Sequence, residues 1–228
     1  MVKKALQLLK RTWTKPEGLT LDAAGPVSRS FGEDRGTPID RFYIHRFLSS
    51  QQNLITGTVL EIADDKYCRR FGLNVSRYEV LHVNNDNPKA TIVGDLTRPE
   101  TLPAAVADCF VCTQTFNFIY NFAAAIEGAC HLLKPGGVLL ATVAGISQVS
   151  RYDMDRWGDY WRFTTLSTKQ AFEAVFGSGQ VTVEYHGNCL AAVSLLRGVA
   201  AEELTAEALA VKDPDYEVII TVLARKPQ

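Results

Sequence analysis

The sequence predicts an α/β protein with a doubly wound, mostly parallel sheet, and three observations support that fold class. Short apolar runs bounded by turn residues alternate with segments of helical periodicity, the pattern of strands joined by crossover helices. The strand-like runs are nearly continuous in apolar residues, as in Val138–Val143, so both faces of the sheet are expected to be covered. The chain has 228 residues, 46% hydrophobic and 21% charged, enough to bury one sizeable core. No internal repeat or boundary interrupts the pattern after the first helix. Residues 1–37 are therefore read as an amino-terminal arm and residues 38–228 as a single domain.

Met1 to Lys15 carries Leu6, Leu9 and Trp13 among lysines and Arg11, a helix-like pattern. Its apolar run is too short for a signal peptide or a membrane span, so stable membrane insertion is not expected. A basic helix on a membrane surface and an arm packed on the domain are the two readings, and the arm is carried forward. Lys15 to Gly36 is rich in Gly, Pro, Ser and Asp and reads as loop. Pro38 to Leu48 reads as a helix, with Pro38 in its first turn and Ile39, Phe42, Phe47 and Leu48 as its apolar stripe.

Gly57 to Gly72, GTVLEIADDKYCRRFG, organises the rest of the chain. Thr58–Ala63 is a buried strand, followed by an acidic turn in which Asp64 or Asp65 caps a short helix. Tyr78–Val83 is the second strand, with His82 expected inside, and Asn84–Pro88 is a turn cluster. Ala90–Val93 and Asp108–Thr113 are the third and fourth strands. Asn121–Leu133 is a helix stopped by Lys134-Pro135-Gly136-Gly137, and Val138–Val143 is the fifth strand. Gly145–Phe163 is a long polar and aromatic loop. Ser167–Phe176 is a helix, Val181–His186 the sixth strand, Leu190–Leu209 largely helical, and Tyr216–Leu223 a terminal strand.

The net charge of −1 gives no global reason to expect nucleic acid as a partner. Five cysteines, an odd number, with no secretory signal point to a reducing compartment, hence a cytoplasmic location with free thiols. Cys109 and Cys112 form a CxxC, but positions three apart on a strand face opposite sides, which favours buried thiols over a shared metal. No His, Asp or Glu spacing suggests a metal site, and neither a Ser-His-Asp elbow nor GxGxxG is present.

Ligands of open α/β sheets sit beyond the carboxyl ends of the strands. His45, after the aromatic stripe, and His186, closing the sixth strand, are candidate general bases because histidine titrates near neutral pH, the alternative being a solvated or packed ring. The cluster Tyr152, Trp157, Tyr160, Trp161 and Phe163, with Arg151, Arg156 and Arg162, is either the core of a packed cover or a surface for a sugar or other polar ring.

Val59–Ile62 (VLEI), Gly94–Leu96 (GDL), Asp108–Phe116 (DCFVCTQTF) and His131–Val143 (HLLKPGGVLLATV) together resemble the class I S-adenosylmethionine-dependent methyltransferases. The likeness covers roughly residues 38 to 225, a usual domain size. Arg151–Thr164, RYDMDRWGDYWRFT, is similar to a subgroup often placed beside sugar-transfer genes. The resemblance implies a Rossmann-like sheet of about seven strands, parallel except for an antiparallel carboxyl-terminal strand. It also implies S-adenosylmethionine as cofactor and a small polar acceptor methylated at oxygen, with a non-catalytic ligand-binding protein as the alternative. Carried to this chain, it places Glu61, Ala63 and Asp64 at the cofactor loop, Asn84 at the ribose, Asp95 and Leu96 at the adenine, and Thr113 and Gln114 at the transfer side. Arg151, Tyr152, Trp157, Trp161 and Arg162 fall to the acceptor. Two positions depart from the family pattern. The first loop, Ala63–Tyr67, has no glycine, and asparagine stands where the second strand usually ends in an acid.

Overall fold

The structure is a computed structural model that describes residues 24–228, so the helix expected within Met1 to Lys15 lies outside it. Seven strands are present: β1 (Gly57–Ile62), β2 (Val75–His82), β3 (Ile92–Val93), β4 (Ala107–Thr113), β5 (Leu133–Ala144), β6 (Val181–His186) and β7 (Ile219–Arg225). They form one sheet in the order β3-β2-β1-β4-β5-β7-β6. The pairs β1–β2, β1–β4, β2–β3 and β4–β5 are parallel. The last strand runs the other way. Lys226 N–H donates to Gly137 O at the start of β5 (2.9 Å), and Arg225 N–H to Gln180 O just before β6 (2.9 Å). This is the mostly parallel sheet with an antiparallel carboxyl-terminal strand that the sequence predicts.

The central strands explain why the apolar runs were so legible. Cys109 to Cys112 of β4 and Val138 to Ala144 of β5 are buried on both faces, so no alternation with polar residues is required. Five free cysteines are present, and burial pushes the Cys109 and Cys112 thiols up to about 12, which leaves them inert packing groups in β4.

The helices are α1 (Ile39–Ser50), α2 (Lys66–Phe71), α3 (Phe122–Leu132), α4 (Arg151–Met154), α5 (Thr165–Phe176), α6 (Cys189–Arg197) and α7 (Ala206–Ala210). Two boundaries differ from expectation. Lys134–Gly137 does not merely stop α3 but forms an irregular start to β5. Leu133 pairs with Ala107 and Val138 with Cys109, so three extra residues are looped out between two rungs of the ladder. Gly136 takes a φ of 76° there, and Lys134 Nζ reaches Asp108 Oδ2 at 2.8 Å. The segment read as largely helical from Leu190 to Leu209 is two helices, the first ended by Gly198, whose φ of 72° lies in the left-handed region.

Contacts gather the chain into two compact units. One comprises the described residues to His45 with 146–148 and 185–219, and its core packs Ile39, Tyr43, Ala191, Leu195, Leu209 and Val218. The other comprises residues 46–145, 149–184 and 220–228, and it carries most of the sheet.

Candidate functional site

The carboxyl ends of β1 to β4 lie on one edge of the parallel sheet, and each ends in a polar turn. Glu61, near the end of β1, is 4% exposed. Its carboxylate accepts from Cys68 N–H (2.8 Å) and Tyr67 N–H (3.2 Å), satisfying two of the free donors in the first turn of α2. The expected Asp64 does accept from Lys66 N–H, the first of the helix, at 3.2 Å, and Glu61 from the end of β1 adds the next two donors. Asp65 occupies the cap position without a side-chain cap bond and instead pairs with Arg69 at 2.7 Å. Asp64 Oδ2 pairs with Lys66 Nζ at 2.6 Å. Burial raises the Glu61 carboxyl to about 7, against the lowering effect of the two N–H groups.

Ala63 sits between these acids with a φ of 65°, a left-handed conformation that costs an alanine about 1–2 kcal/mol. Two bonds hold it there: its N–H donates to Leu81 O (3.0 Å), and its carbonyl accepts from Asn87 Nδ2 (2.6 Å). Asn87 Oδ1 meanwhile accepts from Lys89 N–H (3.0 Å), so Asn87 clamps the turn after β2 onto the turn after β1. Sequence reasoning had Asn87 only as a turn residue. The missing glycine is therefore a missing residue type and not a missing conformation.

Asn84 Oδ1 accepts from Asp86 N–H at 3.2 Å, closing a local turn beyond β2. After β3, Asp95 Oδ1 accepts from both Thr97 N–H and Thr97 Oγ1 at 2.8 Å. Among the described residues, Asp95 Oδ2 has no such partner. The neighbouring Leu96 is buried beneath α3, where Gly128 admits its carbonyl; a Cβ on Gly128 would lie 2.0 Å from Leu96 O. After β4, Gln114 is the second non-glycine residue of this edge with positive φ, at 49°. Its N–H donates to Thr142 O of β5 (2.9 Å), and its Nε2 donates to Thr142 Oγ1 (3.2 Å). Thr113 lies beside it, its carbonyl accepting from Thr115 Oγ1 at 3.1 Å. Residues of positive φ thus stand at two adjacent strand ends of this edge.

The segment after β5 is long and closed on itself. Ser150 N–H donates to Asp159 Oδ2 (2.9 Å), and Arg162 forks onto both oxygens of Asp159 (2.6 and 2.9 Å). Asp159 is 1% exposed at its side chain. Burial alone would raise its carboxyl, but Arg162 and the Ser150 N–H outweigh burial and hold it below the ordinary carboxylate range. Tyr160 and Trp161 donate their N–H groups to Asn117 O (3.0 and 3.2 Å), and Trp161 Nε1 donates to Tyr120 O (3.1 Å). Tyr152 and Arg151 lie in α4, where the Arg156 guanidinium stacks 3.6 Å over the Tyr152 ring. Trp157 makes an edge contact with His82, ring centres 5.9 Å apart. His82 is the last residue of β2, half-buried, with Nδ1 3.0 Å from Asn84 O, rather than an interior mid-strand residue.

The two candidate bases are placed differently. His186 closes β6 and stacks on Tyr43 (5.7 Å between ring centres), whose hydroxyl donates to Leu209 O at 3.0 Å; these are the contacts of a packed histidine. His45 lies on α1. Neither belongs to the strand-end turns described above.

Comparison with known proteins agrees with this architecture. Residues 55–141 match a family model described as a methyltransferase domain, which spans β1 through most of β5. A S-adenosylmethionine-dependent methyltransferase from Archaeoglobus fulgidus superposes with a TM-score of 0.53 at 13% identity, over 82% of this chain and 94% of that one. The chain has the Rossmann-like fold of these methyltransferases. The [4+2]-cyclase SpnF superposes similarly, with a TM-score of 0.54 at 15% identity over 85% of this chain and 83% of that one. A possible exported protein from Bordetella parapertussis gives 0.52 at 12% identity, over 98% and 79%. At such identities the likeness is one of fold, and the chemistry must be argued from the site. No curated protein matches the chain in sequence.

Proposed function

We propose that this chain is an S-adenosylmethionine-dependent methyltransferase that methylates an oxygen of a small polar acceptor, such as a sugar or glycoconjugate. The observation that carries the reading is the gathering of Ala63, Asn84, Asp95 and Gln114 at adjoining strand ends, two of them with positive φ, within the region that matches a methyltransferase domain. The residues present suit the cofactor. The Asp95 oxygen without a partner offers an acceptor for an amino group, Leu96 offers an apolar surface for a ring, and Asn84 offers an amide for a diol. When bound, S-adenosylmethionine supplies a methyl group already activated as a sulfonium.

The protein's own work is alignment and exclusion of water, with Thr113 and Gln114 facing the transfer side. Arg151, Tyr152 and Trp161, together with the aromatic faces around them, are the residues we assign to the acceptor side, a mixture better suited to a polar ring than to a lipid tail. Among the described residues, no helix is long and apolar enough to cross a membrane. Incubating the full chain with methyl-labelled cofactor and a panel of sugars, glycosides and hydroxylated small molecules tests the reading. Label in an oxygen ether of one class is the expected result. Cofactor binding without transfer to any acceptor would favour a binding protein instead.

A further inference from the structure

Trp157 was assigned to the acceptor from sequence, yet its ring rests on the far side of the site. The segment leaves the sheet after β5, and Phe163 N–H returns to Ala144 O (2.8 Å) at the end of that strand. Its base is fastened over β4 through the Asn117 carbonyl and Tyr120. Its tip touches His82, at the end of β2. Since the strand order is β2-β1-β4-β5, a loop rooted at β5 and β4 that contacts β2 must cross the end of β1, where Ala63 stands. Trp157 retains 42% exposure in this position, so a flat apolar face is left unfilled beside the turn that carries Asn84. Gly158, at a φ of 95°, provides the bend that follows the tip.

We propose that residues Ser150 to Arg162 form a strap across the cofactor pocket, with Trp157 as a cofactor-binding residue that packs on the nucleoside. The inference rests on the methyltransferase reading above. It divides the aromatic cluster. Trp157 at the tip serves the nucleoside end, next to His82 and Asn84. Tyr160 and Trp161 at the root serve the acceptor end, next to Tyr120, whose ring centre lies 5.4 Å and 5.7 Å from theirs. Arg162 leaves the acceptor set altogether, because its guanidinium is committed to Asp159 and the Trp161 carbonyl, where it ties the root of the strap. A strap that spans the nucleoside end must also lift before the product nucleoside departs, so the same contact sets the rate of release.

Calorimetric titration of the full chain with S-adenosylhomocysteine tests this, using wild type, Trp157→Ala, Trp157→Phe and Trp161→Ala, each checked for its melting temperature. Trp157→Ala is expected to bind about tenfold more weakly, the value of stacking one base on an aromatic ring. It is also expected to release the ligand faster by stopped flow. Trp157→Phe should restore most of the affinity, and Trp161→Ala should leave it within about twofold. Equal binding by wild type and Trp157→Ala overturns the strap assignment and leaves the methyltransferase reading intact. So does a loss that follows the melting temperature and is not restored by phenylalanine. No binding by folded wild-type protein overturns the methyltransferase reading, and the strap assignment with it.

Discussion

Two segments leave the same edge of the sheet and are held by opposite means. The turn after β1 is five residues of tight backbone, Ala63 to Tyr67, fixed by a buried carboxylate that accepts main-chain N–H groups. The strap after β5 is a long aromatic loop, fixed by a carboxylate that is paired with an arginine. Both carboxylates are almost wholly out of water, yet their titrations move apart. Glu61 has its burial offset by neutral groups, two main-chain N–H groups and the Cys68 thiol, and is raised to about 7, whereas Arg162 and the Ser150 N–H hold Asp159 below the ordinary range. The difference shows that burial alone does not set the charge state at this edge; the sign of the partner does. It also gives the two segments opposite responses to pH.

The largest expected effect sharpens that contrast. The folded protein holds the Glu61 proton more tightly than the unfolded chain does. The stability linked to this group is therefore fully present below about pH 4.5 and is lost as pH rises to about 7. Chemical denaturation of wild type and Glu61→Gln across pH 4.5 to 7.5 should show the wild type losing about 3 kcal/mol relative to the variant. Parallel profiles would mean that Glu61 titrates normally and that the turn is held by something else. Asp159 has the other sign: its contribution is present above the ordinary carboxylate range and is lost as pH falls through its lowered value.

Breaking the strap's own tie comes next. Asp159→Asn removes the charge that pairs with Arg162, while an amide can still accept from Ser150 N–H. Arg162 is partly solvated while Asp159 is not, so the cost should fall between that of an exposed pair and that of a buried one, about 2 kcal/mol. Limited trypsin digestion at neutral pH should then cut after Arg151 and Arg156 faster than in wild type. Unchanged cleavage would show that the aromatic contacts, and not the ion pair, hold the strap.

The smallest effect concerns the turn after β1. Ala63→Gly removes a left-handed penalty of about 1–2 kcal/mol but adds about 0.5–1 kcal/mol of unfolded-chain entropy, leaving a gain of about 0.5 kcal/mol. A rise in unfolding free energy of that size, with cofactor affinity unchanged, would show that the Asn87 clamp and not the residue type defines the turn. A loss of stability would show that the Ala63 methyl group is itself packed.

The same contrast explains what could be read from the chain in advance. Strands such as Val138–Val143 announce themselves because a central parallel strand is buried on both faces and needs no polar alternation. Glu61, Ala63, Asn84, Asp95 and Gln114 were named by the family resemblance, and the structure sets each within a few residues of the end of such a run. What holds them did not follow. Asp64 takes the Lys66 N–H as its sequence position suggests, but the Glu61 carboxylate that takes the next two N–H groups was not expected there, and the Asn87 clamp joins residues 24 apart in sequence. The contact of Trp157 with His82 joins residues 75 positions apart, a pairing that no local pattern encodes. His186 shows the converse: a strand-end histidine looks available in sequence, but its ring is packed against Tyr43.

The central claim is that the strand-end turns of β1 to β4 form one cofactor pocket, and Asp95 tests it most directly. Its Oδ1 is spent on Thr97, and its Oδ2 is the acceptor we propose for the nucleoside. Isothermal titration of S-adenosylhomocysteine into wild type and Asp95→Ala should give single-site binding to the wild type. The variant should bind about tenfold to a hundredfold more weakly, the value of a lost hydrogen bond to a charged group. Equal affinity in the two folded proteins, or no binding by the wild type, would contradict the account.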